Sequence, residues 1–358
     1  MASKSKNSLT NNVDVNSLCE ICNGNISNNL IDYNDIGLNN YGGLFQNLKL
    51  CFCDKCGLGF GLPVIDNDLI FDFYKYHYRS KTSTFHIDFE DLEDIHEQFV
   101  NYSHKTTQQL ILIDDYCMFN KNDIFLDIGP GTGSSFYISS SLLKQPQLYG
   151  IEISNGASAF YNRFPLDKIN ILESLNEFIT LNNKAKVILM SHCLEHYQLK
   201  DLPKLFEDIK KSLDPNGVLI IEVPNVDLRI HANFRGVDTP HFLFFSQDSL
   251  CKLLEKYGFE LLFQNTCNEL YETESKYDIN NNSKLKIKLK MLLKGPFNKM
   301  PTFLQIYFRK IILFFQRKKW KSHQTFNHIN IEVNSRLKDE DIYGGNRTCI
   351  RLVAKLSA

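Results

Sequence analysis

The 358-residue sequence has no uninterrupted apolar run approaching the roughly 20 residues that a bilayer-crossing helix needs. Its first residues, Met1 to about Asn16, are rich in Ser, Asn and Lys and lack an apolar h-region. They read as a disordered tail, neither signal peptide nor anchor. Net charge is nearly absent: 40 Lys and Arg against 41 Asp and Glu leave −1, which argues against a global nucleic-acid footprint, although an average conceals local patches. Internal repeats and heptads are missing too. With 43% hydrophobic and 23% charged residues the composition is that of a folded globular chain, expected in the cytoplasm and long enough for one large core plus a small module.

In a reducing compartment ten cysteines call for another explanation than disulfides. Cys19-x-x-Cys22 and Cys53-x-x-Cys56-Gly57 are two knuckles about 30 residues apart, each able to place two thiolates on one tetrahedral zinc. Cys51 has the wrong spacing for a knuckle. Four thiolates close the coordination sphere, so a structural Zn2+ ribbon is the reading, with reduced, unliganded thiols in a small β module as the alternative. Cys117, Cys193, Cys251, Cys267 and Cys349 are scattered in apolar surroundings and read as small core residues.

The chain is organised around Ile124 to Ser135. An apolar β-type run ends in an acid, Asp127, and glycines follow at every second position, Gly129, Gly131 and Gly133, before a polar helix start. This predicts a buried parallel strand turning sharply into a helix, with glycines that bring the backbone close to a ligand and free N–H groups at the helix start. A nicotinamide-type G-x-G-x-x-G would need a glycine at Phe136. Gln147 to Ile153 is a second strand with Glu152 at its end, where a ribose needs an acceptor for its hydroxyls. Further on, Lys186 to His196 predicts a fourth strand running into a polar helix start, Ser212 to Gly217 a turn, and Val218 to Asn225 a fifth strand.

These four stretches, in this order, resemble the motifs of class I S-adenosylmethionine (SAM) dependent methyltransferases. The resemblance implies a Rossmann-like α/β fold, a mostly parallel seven-stranded sheet with an antiparallel last strand, here joined to the small N-terminal zinc-ribbon module. It implies SAM as cofactor, held by Asp127, Gly129, Gly131, Gly133 and Glu152, with His192 lining the methionine end. Phe259 to Phe263 and Arg347 to Lys355 supply the closing hairpin. The chain then divides into a tail (1–16), a zinc module (17–62), a helical and aromatic cap (63–120), the core (121–267 and 342–358) and an insertion (268–341).

Zinc knuckles followed by Tyr76-x-Tyr78-x-Ser80 and then the glycine loop are similar to methyltransferases of nucleotide-linked sugars and surface-polysaccharide precursors. That likeness implies Tyr76 or Tyr78 as an active-site lid; alternating tyrosines equally describe the half-buried face of a strand or loop. Gly236 to Ser246 leads into a helix predicted from Gln247 to Tyr257 that stops at Gly258. In sugar C-methyltransferases a Tyr-His-Glu-His run precedes a similar segment; this chain keeps His241 and has Pro240 in place of Glu.

The insertion has no acidic residue from Ile279 to Ile331 and about a dozen Lys or Arg. Phe303, Leu304, Tyr307, Phe308, Ile311, Phe314 and Phe315 share one helical face there. Such a helix, within 302–321, lies on an anionic membrane interface or packs on the core.

Methyl transfer to a hydroxyl or a carbon acid needs a general base. The candidates are His241 first and His196 second, with Glu195 orienting either and Tyr78 above them. No Asn-Pro-Pro-Tyr signature of many N-methyltransferases is present. The sequence thus predicts a SAM-dependent enzyme that O- or C-methylates a sugar or another small hydroxylated metabolite. The alternative is a zinc-ribbon interaction protein with a cofactor-binding but inactive methyltransferase-like domain. A sugar epimerase or dehydrogenase would need the missing glycine and a Tyr-x-x-x-Lys pair.

Overall fold

A computed structural model describes residues 18–27, 30–32, 44–45, 48–79, 105–106, 108–110, 112–113, 115–143, 146–155, 157, 169–227, 241–267 and 349–357. The N-terminal tail, residues 80–104 of the cap, the stretch 236–240 and the basic insertion lie outside the described residues, so the readings that rest on them stay expectations.

The N-terminal module is a small antiparallel sheet of β1 (Ile31–Asp32), β2 (Lys49–Phe52) and β3 (Gly59–Leu62). After it come α1 (Asn67–Asp72), capped by Asp66, and a π-helical turn at Phe73–His77. This corrects the extended reading of the tyrosines. Their spacing of two belongs to a helix, so Tyr74 and Tyr78, four apart, share a face while Tyr76 points to solvent.

The core sheet starts with β4 (Ile124–Ile128), an apolar run buried on both faces as a central parallel strand requires. It continues through α2 (Ser134–Leu142), β5 (Gln147–Ile151), β6 (Ile169–Leu172), α3 (Leu175–Thr180), β7 (Ala185–Ser191), α4 (Leu202–Ser212) and β8 (Leu213–Pro224). Then follow β9 (Leu243–Phe244), α5 (Gln247–Lys256), β10 (Phe259–Cys267) and β11 (Cys349–Leu356). Among the described residues seven strands run in the order β10-β11-β8-β7-β4-β5-β6. Strands β8 to β6 pair in parallel, and β11 is antiparallel to both its neighbours. The Rossmann-like methyltransferase fold, with its antiparallel last strand, is therefore present as the motif order implied.

One boundary moved. The expected turn at Ser212 to Gly217 is absorbed into β8, whose register against β7 jumps from Ala185–Leu213 to Val187–Val218. The extra residues bulge, with the Asn216 N–H donating to Asp214 Oδ1 at 2.8 Å.

The module and the core are joined. Strand β9 pairs with β3, so the small sheet takes its fourth strand from beyond β8. The Ser246 hydroxyl, which caps α5 in a reciprocal pair with Ser249, also donates to the Cys56 carbonyl at 2.5 Å. Helix α5 ends near Gly258, which has φ 82°, as its sequence predicts. Cys19, Cys53, Cys56 and Leu58 belong to the same buried cluster as Leu250, Leu253 and Leu254 of α5. Among the described residues no helix is long and apolar enough to cross a membrane.

Candidate active site and cysteine cluster

The cysteine cluster follows from two tight turns. Cys19 N–H donates to the Gly24 carbonyl, and Gly57 N–H to the Cys53 carbonyl, with Gly57 at φ 73°. Gly24 is required by space: a Cβ there would stand 3.0 Å from Cys53 Sγ and 3.2 Å from Cys22 Sγ. The four sulfurs of Cys19, Cys22, Cys53 and Cys56 lie within 4.8 Å of one another, with Cys19–Cys56 at 3.8 Å and Cys22–Cys53 at 3.4 Å. Zinc–sulfur bonds of about 2.3 Å give a tetrahedral edge near 3.8 Å, so the donor set fits one zinc. Hydrogen bonding from Cys56 holds the Cys19 thiol down at about 5. Cys51 stands apart, pushed up to about 11 by burial.

At the carboxyl end of β4 all three loop glycines are left-handed: Gly129 at φ 77°, Gly131 at φ 58° and Gly133 at φ 78°. A side chain there would be strained. At Gly129 it would also meet Cys193 Sγ at 2.9 Å, whereas at Gly131 it would enter open space. That open space over the start of α2 is a cradle for a ligand. Asp127 is 3% exposed; its Oδ2 accepts a short hydrogen bond from Ser135, and its Oδ1 has no partner among the described residues. Burial pushes its carboxyl up to about 7, against the pull of Ser135. Glu152 follows β5, its Oε1 accepting from the Ser154 N–H at 2.8 Å. Burial raises its pKa as well. Glycines, a buried acid with a spare oxygen and a second acid at the neighbouring strand end fit the cofactor that the motif order implied.

The second half of the site lies at the ends of β7 and β8. Ser191 accepts from the Gln109 side chain at 2.8 Å, and the chain then turns through His192 at φ 51°, unusual for a residue with a Cβ. The His192 ring is set between two carboxylates: Nδ1 is 3.6 Å from Glu195 Oε1 and Nε2 is 3.4 Å from Glu222 Oε1. Glu195, 1% exposed, also faces His241, whose Nε2 is 4.0 Å from Oε1. The Glu195 carbonyl accepts from the Phe242 N–H, tying the two segments together. His196 stacks edge-on against His241 at 4.8 Å between ring centroids and is hydrogen-bonded through Nδ1 to the Tyr74 hydroxyl at 2.9 Å. Tyr78 packs on both Tyr74 and His196. Burial, with the neighbouring His192, lowers the His241 pKa to about 4, which leaves the imidazole neutral and able to accept a proton.

The structure thus brings His241, His196, Glu195 and Tyr78 into one cluster, with Asp127, Gly129, Gly131, Gly133 and Glu152 on the neighbouring strand ends. Cys193, read as a core thiol, is only part-buried and closes the gap under Gly129. Sequence reasoning missed Tyr74, Glu222 and Arg351. Tyr74 was hidden by the alternating tyrosines, whose period of two does not suggest the π-helical turn. Glu222 and Arg351 left no local signal.

Residues 96–264 match the family model described as a methyltransferase domain. Among curated proteins the chain is similar to the C-methyltransferase NovU of Streptomyces niveus, 23% identical over 225 residues, covering 60% of this chain and 47% of that one. It spans about half the length of that relative. Among solved structures it is similar to a SAM dependent methyltransferase from Archaeoglobus fulgidus (17% identity, TM-score 0.42, 74% of this chain and 100% of that one). It is also similar to phosphoethanolamine N-methyltransferase 2 of Haemonchus contortus (15% identity, TM-score 0.43, 84% and 62%). The family match covers just under half of the chain and lies on a Rossmann-like sheet closed by an antiparallel last strand.

Proposed function

We propose that the domain methylates a hydroxyl or an acidic carbon of a sugar-sized acceptor, with His241 as the general base. The observation that carries this is the His241–Glu195 pair beside His196 and Tyr74, at the strand ends next to the glycine loop. The carboxylate that Pro240 removes from the sequence is supplied in space by Glu195, which orients His241 and steadies the imidazolium once the proton has moved. His196, fixed by Tyr74, stands second, and Tyr78 covers it. Asp127, Gly129, Gly131, Gly133 and Glu152 hold SAM, which when bound supplies an electrophilic methyl group on a sulfonium. Positioning of the acceptor then provides much of the rate. The four-cysteine cluster holds a structural zinc, and through β9 and the Ser246–Cys56 hydrogen bond it fixes the His241 segment. NovU's C-methylating activity supports a carbon acceptor; the resemblance in the tyrosine and histidine segments supports a nucleotide-linked sugar. An intact glycine loop and a complete base cluster speak against the non-catalytic alternative.

The test is an acceptor screen on nucleotide sugars with S-adenosylhomocysteine release and product mass as readouts. A gain of one methyl is expected, falling about 10²- to 10⁴-fold in His241→Asn while cofactor affinity is kept. In deuterated water, exchange at the accepting carbon distinguishes C- from O-methylation. Full turnover by the His241→Asn variant would contradict the assignment.

A further inference from the structure

A second group of ligating atoms stands apart from the four cysteines. His192, Glu222 and Cys349 each offer one atom, all within 4.8 Å of one another. The His192 Nε2 is 3.4 Å from Glu222 Oε1 and 3.8 Å from Cys349 Sγ. Metal bonds of about 2.0 to 2.3 Å give tetrahedral edges of roughly 3.3 to 3.8 Å between nitrogen, oxygen and sulfur. The two edges from His192 Nε2 already have those lengths, and the third lies within 4.8 Å.

A second, independent observation concerns Glu222. Its side chain has no solvent exposure, and Arg351 meets Oε2 through Nε at 2.6 Å and Nη2 at 2.5 Å. Oε1 has no hydrogen-bond partner among the described residues and faces His192. A buried carboxylate oxygen in that state is costly unless something positive or donating meets it.

We propose that His192 Nε2, Glu222 Oε1 and Cys349 Sγ form a binding site for a borderline divalent transition metal such as Zn2+ or Co2+. The ligand set of one imidazole, one carboxylate and one thiolate selects such ions over Mg2+ or Ca2+. Around it stand the partners that metal ligands use. Glu195 faces the other ring nitrogen of His192, the carboxylate–histidine–metal arrangement that fixes the tautomer, and Arg351 holds the far oxygen of Glu222. Charge also balances. Glu222 and Arg351 cancel, Cys349 loses its proton on binding, and Glu195 offsets the remaining positive charge. Three protein ligands are one short of a closed tetrahedron, unlike the four-cysteine site. Strand pairing assembles the site: Cys349 and Arg351 come from β11, Glu222 from β8, and His192 from the end of β7.

The test uses the full chain with its cysteine cluster zinc-loaded, dialysed against micromolar Co2+. Metal per chain and the thiolate-to-cobalt charge-transfer band are the readouts. One further equivalent is expected, with that band; both disappear in Cys349→Ser, and the extra equivalent is lost in His192→Gln. Glu195→Gln weakens cobalt binding about 10- to 100-fold. No further equivalent in the wild type overturns the site, as does one retained by both variants. If a variant fails to fold, the wild-type spectrum decides, since an extra equivalent without the charge-transfer band excludes Cys349 as a ligand.

Discussion

Arg351 of β11 and Glu222 of β8 stand directly opposite each other in the strand register and form an ion pair in which neither side chain is exposed. Gln108 faces the same guanidinium, with Oε1 at 3.4 Å from both terminal nitrogens. The pair holds Glu222 ionised: Arg351, helped by His192, outweighs burial and keeps its carboxyl well below the usual carboxylate range. The Glu222 backbone carbonyl in turn accepts from the His192 N–H at 2.8 Å. The last strand of the chain therefore fixes a residue at the mouth of the site.

Removing one member leaves the other charge buried. Arg351→Ala should cost about 3 to 5 kcal/mol in urea denaturation, because Glu222 is then uncompensated. Replacing both by methionine should cost clearly less than the sum of the two single changes. Additive losses would show that the pair is not coupled.

Glycine substitutions separate strain from occupation. Gly129→Ala combines a left-handed backbone with a Cβ 2.9 Å from Cys193 Sγ, so it should destabilise the fold and abolish cofactor binding. Gly131→Ala meets no atom within 4 Å, so only the backbone strain of about 1 to 2 kcal/mol remains. It should nevertheless bind S-adenosylhomocysteine at least tenfold more weakly, because the methyl fills ligand space. Thermal melts and titration calorimetry on both variants check this.

Asp127 gives a pH signature. Its folded value of about 7 lies above the unfolded carboxylate value near 4, so the folded state holds an extra proton between them. Stability is lost as pH rises through that window, by on the order of 4 kcal/mol. Asp127→Asn should remove this dependence and be more stable than the wild type at pH 8, while binding cofactor poorly. A flat wild-type profile would count against a buried protonated Asp127.

His241 acts in the opposite direction. Its folded value of about 4 lies below the unfolded value near 6.5, so the unfolded chain takes up the proton first. Stability is lost as pH falls from about 6.5 to about 4. Since the Asp127 and His241 windows overlap with opposite signs, each is read by difference against its own variant, here His241→Asn.

The glycine loop and the cysteine cluster were legible because their requirements are local. Left-handed glycines, a strand-ending acid and two cysteine knuckles each need particular residues at fixed spacing, and the order of four strands follows from periodicity. What depends on distant register was not legible. Arg351 looks like one of several basic residues in a closing strand, and only pairing with a strand 129 residues earlier buries it against Glu222. Tyr74 was hidden because alternating tyrosines suggest a period of two, whereas the backbone coils into a π-helical turn that aims Tyr74 at His196. The two-residue β9 carries no pattern of its own, yet it ties the cysteine module to the His241 segment.

The central claim is that the glycine loop and its two flanking acids bind SAM. Calorimetric titration of the purified chain with S-adenosylhomocysteine, beside Asp127→Ala and Glu152→Ala and with NADH as control, tests it most directly. Micromolar binding by the wild type, lost in both variants and absent for NADH, is the predicted result. A folded, zinc-loaded protein that binds no S-adenosylhomocysteine would contradict it.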